Sequence, residues 1–142
     1  MTVREIMSEG AVTVGPDEPV AAAARLMQRG NLGAAPVCDS AGRLRGLVTD
    51  RDIVLRCVAA ESDPERTSVR EIMSRGIVTA DAGEPLESAA GRMAREQLRR
   101  LPVTENGRVV GMVSLCDLAR RADCRSQAAA ALGAISANVR RF

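Results

Sequence analysis

Residues 3–8 read VREIMS, and residues 69–74 repeat the same letters, a shift of 69 − 3 = 66 positions. The repetition continues at this spacing, and after a one-residue deletion in the second copy it continues at a spacing of 65. The matching pairs include Glu18-Pro19 with Glu84-Pro85, Pro36-Val37 with Pro102-Val103, and Asp52 with Asp117. Because an internal repeat decides how a chain is divided, we expect two similar units, packed together, to carry any function.

The composition of the 142-residue chain argues against several classes of protein. It has no His, which removes the commonest general base and metal ligand, and no catalytic motif, so we expect neither an enzyme nor a metal site. A net charge of +2 and an aromatic content of 1% argue against nucleic-acid binding, which needs basic surfaces or stacking platforms. Since no apolar run is long enough to span a bilayer, we expect a cytoplasmic protein with no membrane partner.

The four cysteines, Cys38, Cys57, Cys116 and Cys124, form no Cys-x-x-Cys pair. We therefore expect buried free thiols rather than zinc ligands or disulfides, since free Cys is among the residue types most often buried. A redox-responsive role for Cys38 or Cys57 is the alternative.

Each copy predicts the same order of elements: strand, helix, strand, strand, helix. The first long helix of each copy has apolar residues at i, i+3, i+4 and i+7, which predicts one buried face. An Asn-Gly pair between two apolar runs predicts a hairpin in the second copy. The predicted bounds in the first copy are a strand at 11–14, a helix at 19–29, strands at 34–38 and 44–48 and a helix at 50–59; in the second copy they are strands at 101–104 and 109–113 and a helix at 115–122.

These patterns predict an α+β fold of two βαββα repeats, at 1–60 and 69–122, joined by a polar linker at 61–68. Because about 60 residues bury too little surface to fold well alone, we expect the repeats to pack about a pseudo-two-fold axis. Residues 123–142 lie outside the repeat and are predicted to form a helical tail, which caps the module, forms a dimer seam or docks a partner. Its apolar stripe consists of Ala128, Leu132, Ile135 and Val139.

Four motifs occur once in each copy. They are a Met-Ser near the start, a Glu-Pro before an Ala-rich helix, a Pro-Val strand, and a Gly-x-Val-[Thr/Ser]-x-x-Asp ending. In this combination the chain resembles a tandem pair of cystathionine-β-synthase domains, the CBS pair or Bateman module, over about residues 2–121. It is also similar to small bacterial CBS-pair proteins in which no enzyme or channel is attached to the module.

The resemblance implies a non-catalytic regulatory module that needs no cofactor and binds adenosine-containing ligands in clefts between the repeats. These ligands are AMP, ADP or ATP, with S-adenosylmethionine and NAD(H) as further members of the class. It also implies a disc-like homodimer that acts on an effector protein. The implied contact residues are Val12, Thr13, Val78 and Thr79 for adenine, Ala34, Ala35, Arg100 and Leu101 along the cleft, and Thr49, Asp52, Ser114 and Asp117 for ribose and phosphate. Arg51, a cation inside the copy-one motif, is a further candidate contact that the residues themselves suggest.

The chemistry of the repeated hydroxyl and carboxylate suits this role. A ribose diol offers two donors to one carboxylate, and the start of a helix stabilises a phosphate through its free N–H groups. However, the spacing is also that of a capping box, both for Thr49 with Asp52 and for Ser114 with Asp117. In a capping box the same side chains bond the free backbone N–H groups at a helix N-terminus. Capping and ligand contact are therefore two interpretations of the same residues, and they are compatible.

The two copies differ in their cationic residues. Arg99-Arg100 replaces the Gly33-Ala34 of copy one, whereas Arg51 of copy one is replaced by Cys116. Because an arginine can hold a phosphate through two parallel hydrogen bonds, we predict two unequal sites, the copy-two site being better for phosphate. Solvated surface arginines are the alternative. At the level of function, the alternative is a structural or partner-binding CBS-pair protein without a nucleotide ligand.

Overall fold

The computed structural model describes residues 1–137, so Val139 of the predicted tail stripe lies outside the described residues. The described chain alternates short strands with helices, and the predicted α+β class with a C-terminal helix is confirmed. Its strands are β1 (Ser8–Glu9), β2 (Ala34–Cys38), β3 (Leu44–Thr49), β4 (Ala80–Asp81), β5 (Arg100–Glu105) and β6 (Arg108–Ser114). Its α-helices are α1 (Val20–Gly30), α2 (Asp50–Ile53), α3 (Val69–Ile72), α4 (Leu86–Glu96), α5 (Leu115–Ala119) and α6 (Arg125–Ser136).

The two long repeat helices, α1 and α4, bury the predicted apolar faces. In α4 all four residues of the stripe are buried, and in α1 only Ala24 is half-buried rather than buried. Both helices end where a residue takes the left-handed conformation, at Asn31 (φ 51°) and Gln97 (φ 57°). Such a residue stops the helix because the following N–H can then bond an earlier carbonyl, as Leu32 does with Met27.

The strands form two separate sheets. In one, the strand order is β1-β6-β5-β4; in the other, β2 pairs antiparallel with β3. The hairpin between β5 and β6 turns at Asn106 (φ 53°) and Gly107 (φ 78°), the two positive φ angles that a type I′ turn requires. The hairpin prediction from the Asn-Gly pair is therefore confirmed.

The chain divides into two compact units that cross the sequence repeats. The first unit contains Met1–Gly10 with Val78–Asn106 and the chain from Val110 onward; the second contains Ala11–Ile77 with Gly107–Val109. Each VREIMS segment thus belongs to the unit formed by the other repeat. Val3 is buried with α4 and α6, whereas Val69, Ile72 and Met73 are buried with α1.

Equivalent hydrogen bonds hold the two VREIMS segments in these positions. Val3 and Arg4 donate through their backbone N–H groups to the carbonyl oxygens of Glu84 and Ala82, at 3.1 and 3.0 Å. Val69 and Arg70 donate in the same way to Glu18 and Pro16, both at 2.8 Å. The acceptors differ by the repeat spacing, so the Glu-Pro motif of each unit receives the Met-Ser segment of the other repeat.

Several predicted element bounds are wrong. The strand predicted at 11–14 is absent: β1 lies earlier, and only Val14 makes a bridge, to Val37. Val12 and Thr13, which precede the bridge, are exposed rather than paired in a sheet. The helix predicted at 50–59 begins as α2 but continues as a π-helix over Val54–Val58, and the helix predicted at 115–122 ends at Ala119.

Candidate functional site

The repeated hydroxyl and carboxylate form a capping box in both copies. Asp52 donates its backbone N–H to Oγ1 of Thr49 (3.0 Å), and Thr49 donates its own to Oδ2 of Asp52 (2.9 Å). In copy two, Asp117 donates to Oγ of Ser114 (3.2 Å), and Ser114 donates to Oδ2 of Asp117 (2.8 Å). The capping interpretation is therefore confirmed, and it fixes all four side chains at the starts of α2 and α5.

Each capping carboxylate keeps its second oxygen outside this arrangement. The hydrogen bonds that Asp52 and Asp117 accept within residues 1–137 all use Oδ2. Oδ1 has only a distant cation, with Arg56 Nε at 3.9 Å from Asp52 and Arg120 Nη1 at 3.9 Å from Asp117. Capping therefore leaves one oxygen of each carboxylate able to accept a hydroxyl group.

The hairpin register places the residues before each Pro-Val strand beside the hydroxyl residue. Ala34 is paired with Thr49 across β2 and β3. The backbone N–H of Asp50, which follows Thr49, donates to the carbonyl oxygen of Gly33, just before β2 (3.0 Å). In copy two the backbone N–H of Leu115, which follows Ser114, donates in the same way to Arg99, just before β5 (2.9 Å). Arg99 and Arg100 thus lie next to Ser114, because antiparallel pairing makes the start of one strand the neighbour of the end of the next.

A cavity of 490 Å³ lies in the first compact unit at this point. Two of the predicted site residues, Arg100 and Ser114, line it. The remaining lining comes from Arg99, from α5 and from one face of α6: Leu115, Cys116, Ala119, Arg125, Ala128, Ala129 and Leu132. The mixture of apolar side chains with a few placed polar groups is typical of a small-molecule site.

The equivalent region of the second unit is a smaller and more open groove. It has a volume of 320 Å³ and is lined by Asp50, Arg51, Val54 and Leu55. Arg51 is the predicted site residue that it includes, and its charge is balanced by that of Asp50. The two copies therefore present unequal surfaces, and the surplus of positive charge lies in the copy-two cavity.

The residues predicted to face adenine line neither of these two cavities. Val12 and Thr13 are exposed, and Val78 and Thr79 are half-buried. The Thr79 carbonyl oxygen accepts a hydrogen bond from Arg92 Nη1 (2.8 Å), and Arg92 also pairs with Glu84. This bond to Glu84 raises the pKa of the Arg92 guanidinium.

Two further predicted contacts have no exposed surface at all. Ala35 of β2 and Leu101 of β5 are both 0% exposed, so their side chains pack in the hydrophobic core. Ala34 is 8% exposed, and only its edge reaches solvent. Four residues beside the Pro-Val pairs were predicted to line the clefts. Of these, Arg100 is the one that lines either of the two cavities described above.

The cysteines divide into three buried thiols and one exposed thiol. Cys38, Cys57 and Cys124 are buried, as predicted, whereas Cys116 is exposed and lines the copy-two cavity. Burial, aided by the charge of Asp39, raises the pKa of Cys38, and burial likewise raises that of Cys124. Because the thiolate is the reactive form, these positions do not favour redox chemistry at Cys38, and Cys116 is the accessible thiol.

Residues 1–137 contain no group of three or more Cys, Asp or Glu side chains placed to hold a metal ion. No helix in the same part of the chain is long and apolar enough to cross a membrane.

A sequence model of the CBS domain matches residues 3–58 and 69–123. The chain belongs to the CBS domain family. Both CBS matches include a Met-Ser segment, a Glu-Pro motif and a hydroxyl–carboxylate motif, whereas α6 begins after the second match ends. Helix α6 is therefore an addition to the CBS pair.

Relatives of this CBS pair match over most of its length. The CBS domain-containing protein YhcV of Bacillus subtilis is 40% identical over 135 residues, which cover 95% of each chain. Hypoxic response protein 1 of Mycobacterium tuberculosis is 39% identical over 119 residues, 84% of this chain and 83% of that protein. Its crystal structure, described with two coordinated zinc ions, superposes with a TM-score of 0.79 at 37% identity, covering 85% of this chain and 98% of that chain.

A third CBS pair has been solved with adenosine-containing ligands. The CBS domain pair of protein MJ0100, in complex with 5′-methylthioadenosine and S-adenosyl-L-methionine, has a TM-score of 0.75 and 29% identity. The match covers 84% of this chain and 94% of that chain. Binding of adenosine-containing ligands is therefore found among the structural neighbours of this chain.

Arg125 and Cys116 are cavity residues that the sequence patterns did not identify as contacts. Cys116 falls inside the hydroxyl–carboxylate motif, but the equivalent residue of copy one is Arg51, so the repeat did not mark this position as a contact. Arg125 lies at i, with Ala128, Ala129 and Leu132 at i+3, i+4 and i+7. That spacing marks one face of a helix, so grouping the arginine with the alanines was the available signal.

Proposed function

We propose that this CBS pair is a non-catalytic regulatory module that binds adenosine-containing ligands. The observation that carries the proposal is the copy-two cavity, which brings three arginines and an apolar lining together beside Ser114. AMP, ADP and ATP match this combination of a flat apolar base and a phosphate chain, with S-adenosylmethionine and NAD(H) as further members of the class. The binding of S-adenosylmethionine by the MJ0100 pair supports the same ligand class.

Each part of the ligand has a group of matching chemistry in copy two. Asp117 does not line the cavity, but it directly follows the lining residue Cys116, and Oδ1 of its carboxylate is the oxygen that capping leaves for the ribose hydroxyls. The guanidinium of Arg100 matches a phosphate through parallel hydrogen bonds. The aliphatic side chains that line the cavity suit a base, which without an aromatic partner must be held between apolar groups.

The two copies are proposed to bind with unequal strength. Copy one keeps Thr49 and Asp52, but its groove is lined by both Arg51 and Asp50, and it lacks an arginine at the position of Arg100. A phosphate there would meet no net positive charge. We therefore place the phosphate-dependent site in copy two.

Replacement of Arg100 with Ala should weaken ATP binding about tenfold to a hundredfold and leave adenosine binding unchanged. The reason is that a hydrogen bond to a charged group contributes about 1.5–3 kcal/mol, and adenosine has no phosphate to lose it. Isothermal titration with both ligands measures the effect. Arg95→Ala, an exposed arginine on α4 outside the cavity, is the matched control and should bind both ligands as the wild type does.

An equal loss of ATP and adenosine affinity in Arg100→Ala would contradict this assignment. It would mean that Arg100 shapes the cavity rather than holding the phosphate. Retention of full ATP affinity would place the phosphate elsewhere.

We also propose that the module forms homodimers through the π-helical segment. Val54, Leu55 and Val58 are 55%, 48% and 64% exposed, so three large apolar side chains lie on one short segment of the second unit. Adjacent exposed apolar residues mark interaction surfaces more often than isolated ones do. A hexameric CBS-CP12 protein from bloom-forming cyanobacteria, at 30% identity and a TM-score of 0.75, is a related module that assembles.

Replacement of Val58 with Asp should raise the dimer dissociation constant about thirtyfold, for a loss of about 2 kcal/mol at a central interface residue. Sedimentation velocity over a concentration series measures it. Val12→Asp places the same charge on another exposed valine, 45% exposed, and should leave the dimer intact. Equal dissociation of both variants, or of neither, would contradict the assignment of this surface.

A further inference from the structure

Helix α6 is part of the wall of the copy-two cavity as well as part of the core. Its buried side, Ala128 and Ala131, packs with α4 and α5 and is 6% and 1% exposed. Its adjoining face, which begins at Arg125, closes one side of the cavity. A helix that the family match leaves outside the CBS pair thus contributes directly to the candidate site.

Small side chains create the space between α5 and α6. Ala119 on one helix and Ala128 and Ala129 on the other face the cavity, while Leu132 lies at its edge and is 48% exposed. Helices that meet through larger side chains would fill this volume, as protein interiors normally do. The alanines therefore leave room for part of the 490 Å³ cavity beside two helices that are otherwise packed.

The charged residues of the cavity lining are all cationic. Arg99, Arg100 and Arg125 line it, and its lining contains no Asp or Glu, so its formal charge is +3. Among the ion pairs found in residues 1–137, none involves these three arginines, although the nearby Arg120 and Arg121 both have carboxylate partners. Three like charges around one cavity repel one another unless an anion lies between them.

Arg125 is held in place by a single backbone contact. Its Nε donates to the carbonyl oxygen of Ala119, at the end of α5, at 3.3 Å. In the described chain its two Nη groups make no hydrogen bond to protein, so they are available to an anion. The bond ties the guanidinium to the end of α5, and Arg125 and Arg100 both line the cavity.

We propose that α6 is a ligand-responsive wall of this cavity, in which an anionic group bridges Arg100 of β5 and Arg125 of α6. The bridge holds α6 against α5, so ligand occupancy sets the stability of the tail helix. A ligand stabilises only the state to which it binds more tightly, and here that is the state with α6 in place. The identity of the anion as the phosphate chain of an adenosine ligand rests on the proposed function; the role of α6 does not.

Hydrogen exchange on the full chain tests the role of α6. ATP at 100 times its dissociation constant should slow the exchange of amides in 125–136 by up to about 100-fold, because opening of the wall then requires release of the ligand. Inorganic tripolyphosphate should slow the same amides, and adenosine, which lacks the bridging anion, should slow them less. Arg125→Gln should remove the slowing and weaken ATP binding about tenfold, whereas Arg95→Gln should change neither.

Labelling of Cys116 gives an independent readout of the same cavity. It is the exposed cysteine among four, so the rate of its reaction with a thiol reagent reports access to the cavity. ATP and tripolyphosphate should both slow the labelling. Ala129→Leu, which fills the gap from an exposed helix position, should abolish this protection and leave the melting temperature without ligand unchanged.

The outcomes separate the two proposals. If tripolyphosphate slows α6 exchange and binds as tightly as ATP, while adenosine does not bind, the adenosine assignment fails and the anion-responsive wall stands. If ATP binds with unchanged affinity to Arg125→Gln and Ala129→Leu without slowing α6, the wall is overturned and the adenosine module stands. If neither anion changes α6 exchange or Cys116 labelling, the wall is overturned.

Discussion

Replacement of Ile72 with Ala is expected to lower the free energy of unfolding by about 2–5 kcal/mol, because it removes a fully buried side chain and leaves a cavity. Ile72 is 2% exposed and is buried among residues of α1 and β2. A domain of this size is stable by only about 5–15 kcal/mol, so the loss is a large share of the total. Urea unfolding followed by circular dichroism measures it, since the chain has no Trp or Tyr.

The location of the effect is the more informative part of this prediction. Although Ile72 belongs to the second sequence repeat, it lies in the unit built from Ala11–Ile77. Native-state hydrogen exchange in the variant should therefore increase first in α1 and β2. Val12→Ala, at an exposed position, should change stability by less than about 0.5 kcal/mol. Faster exchange confined to α4 and β5 would contradict the observed crossing of segments between units.

Replacement of Gly111 with Ala should lower stability by about 1–3 kcal/mol, the usual cost of forcing an extra methyl group into a packed site. A Cβ atom at Gly111 would overlap the backbone oxygen of Ser8 and lie 3.0 Å from Sδ of Met7. Backbone on the paired strand β1 cannot move aside cheaply. Gly46 has the same role in copy one, where a Cβ would lie 2.7 Å from the backbone oxygen of Ser74.

Gly133→Ala is the matched control for this prediction and should have the opposite sign. Gly133 lies in α6, and a Cβ there would meet nothing within 4 Å. Ala is favoured over Gly inside a helix by about 0.5–1 kcal/mol, so this variant should be more stable than the wild type. Thermal melts of the two variants side by side measure both changes. Destabilisation by both, or by neither, would contradict the close approach of β1 to β6.

The Met-Ser and Gly-x-Val motifs could be found from the sequence, but the contact between the two motifs could not be predicted from it. Repetition identified both motifs, and the resemblance assigned ligand contacts to the residues that follow the glycine. The contact of Gly111 with Ser8, and of Gly46 with Ser74, is made between distant parts of the chain. Periodicity within one segment contains no information about its partner, so the crossing of VREIMS between units was not predicted.

The site was predictable to the extent that it depends on local structure. Thr49 and Ser114 are the N-cap residues of α2 and α5, because their spacing to Asp52 and Asp117 is that of a capping box. Arg100 lies beside Ser114 because of the antiparallel pairing in the hairpin. The first strand was predicted wrongly, since its apolar residues suggested a ladder that only Val14 enters. Arg125 was not predicted because it lies outside the repeat, where no second copy marks a position.

A thermal melt of the wild-type chain with AMP, ADP, ATP, GTP, NADH and S-adenosylmethionine, followed by circular dichroism, tests the central claim most directly. A ligand at 100 times its dissociation constant adds about 2.7 kcal/mol, which for a domain of this size raises the melting temperature by about 5–10 °C. We predict such a rise with at least one adenosine-containing ligand, and its loss in Asp117→Ala. A melting temperature that none of these ligands changes would contradict the account of this CBS pair as an adenosine-binding module.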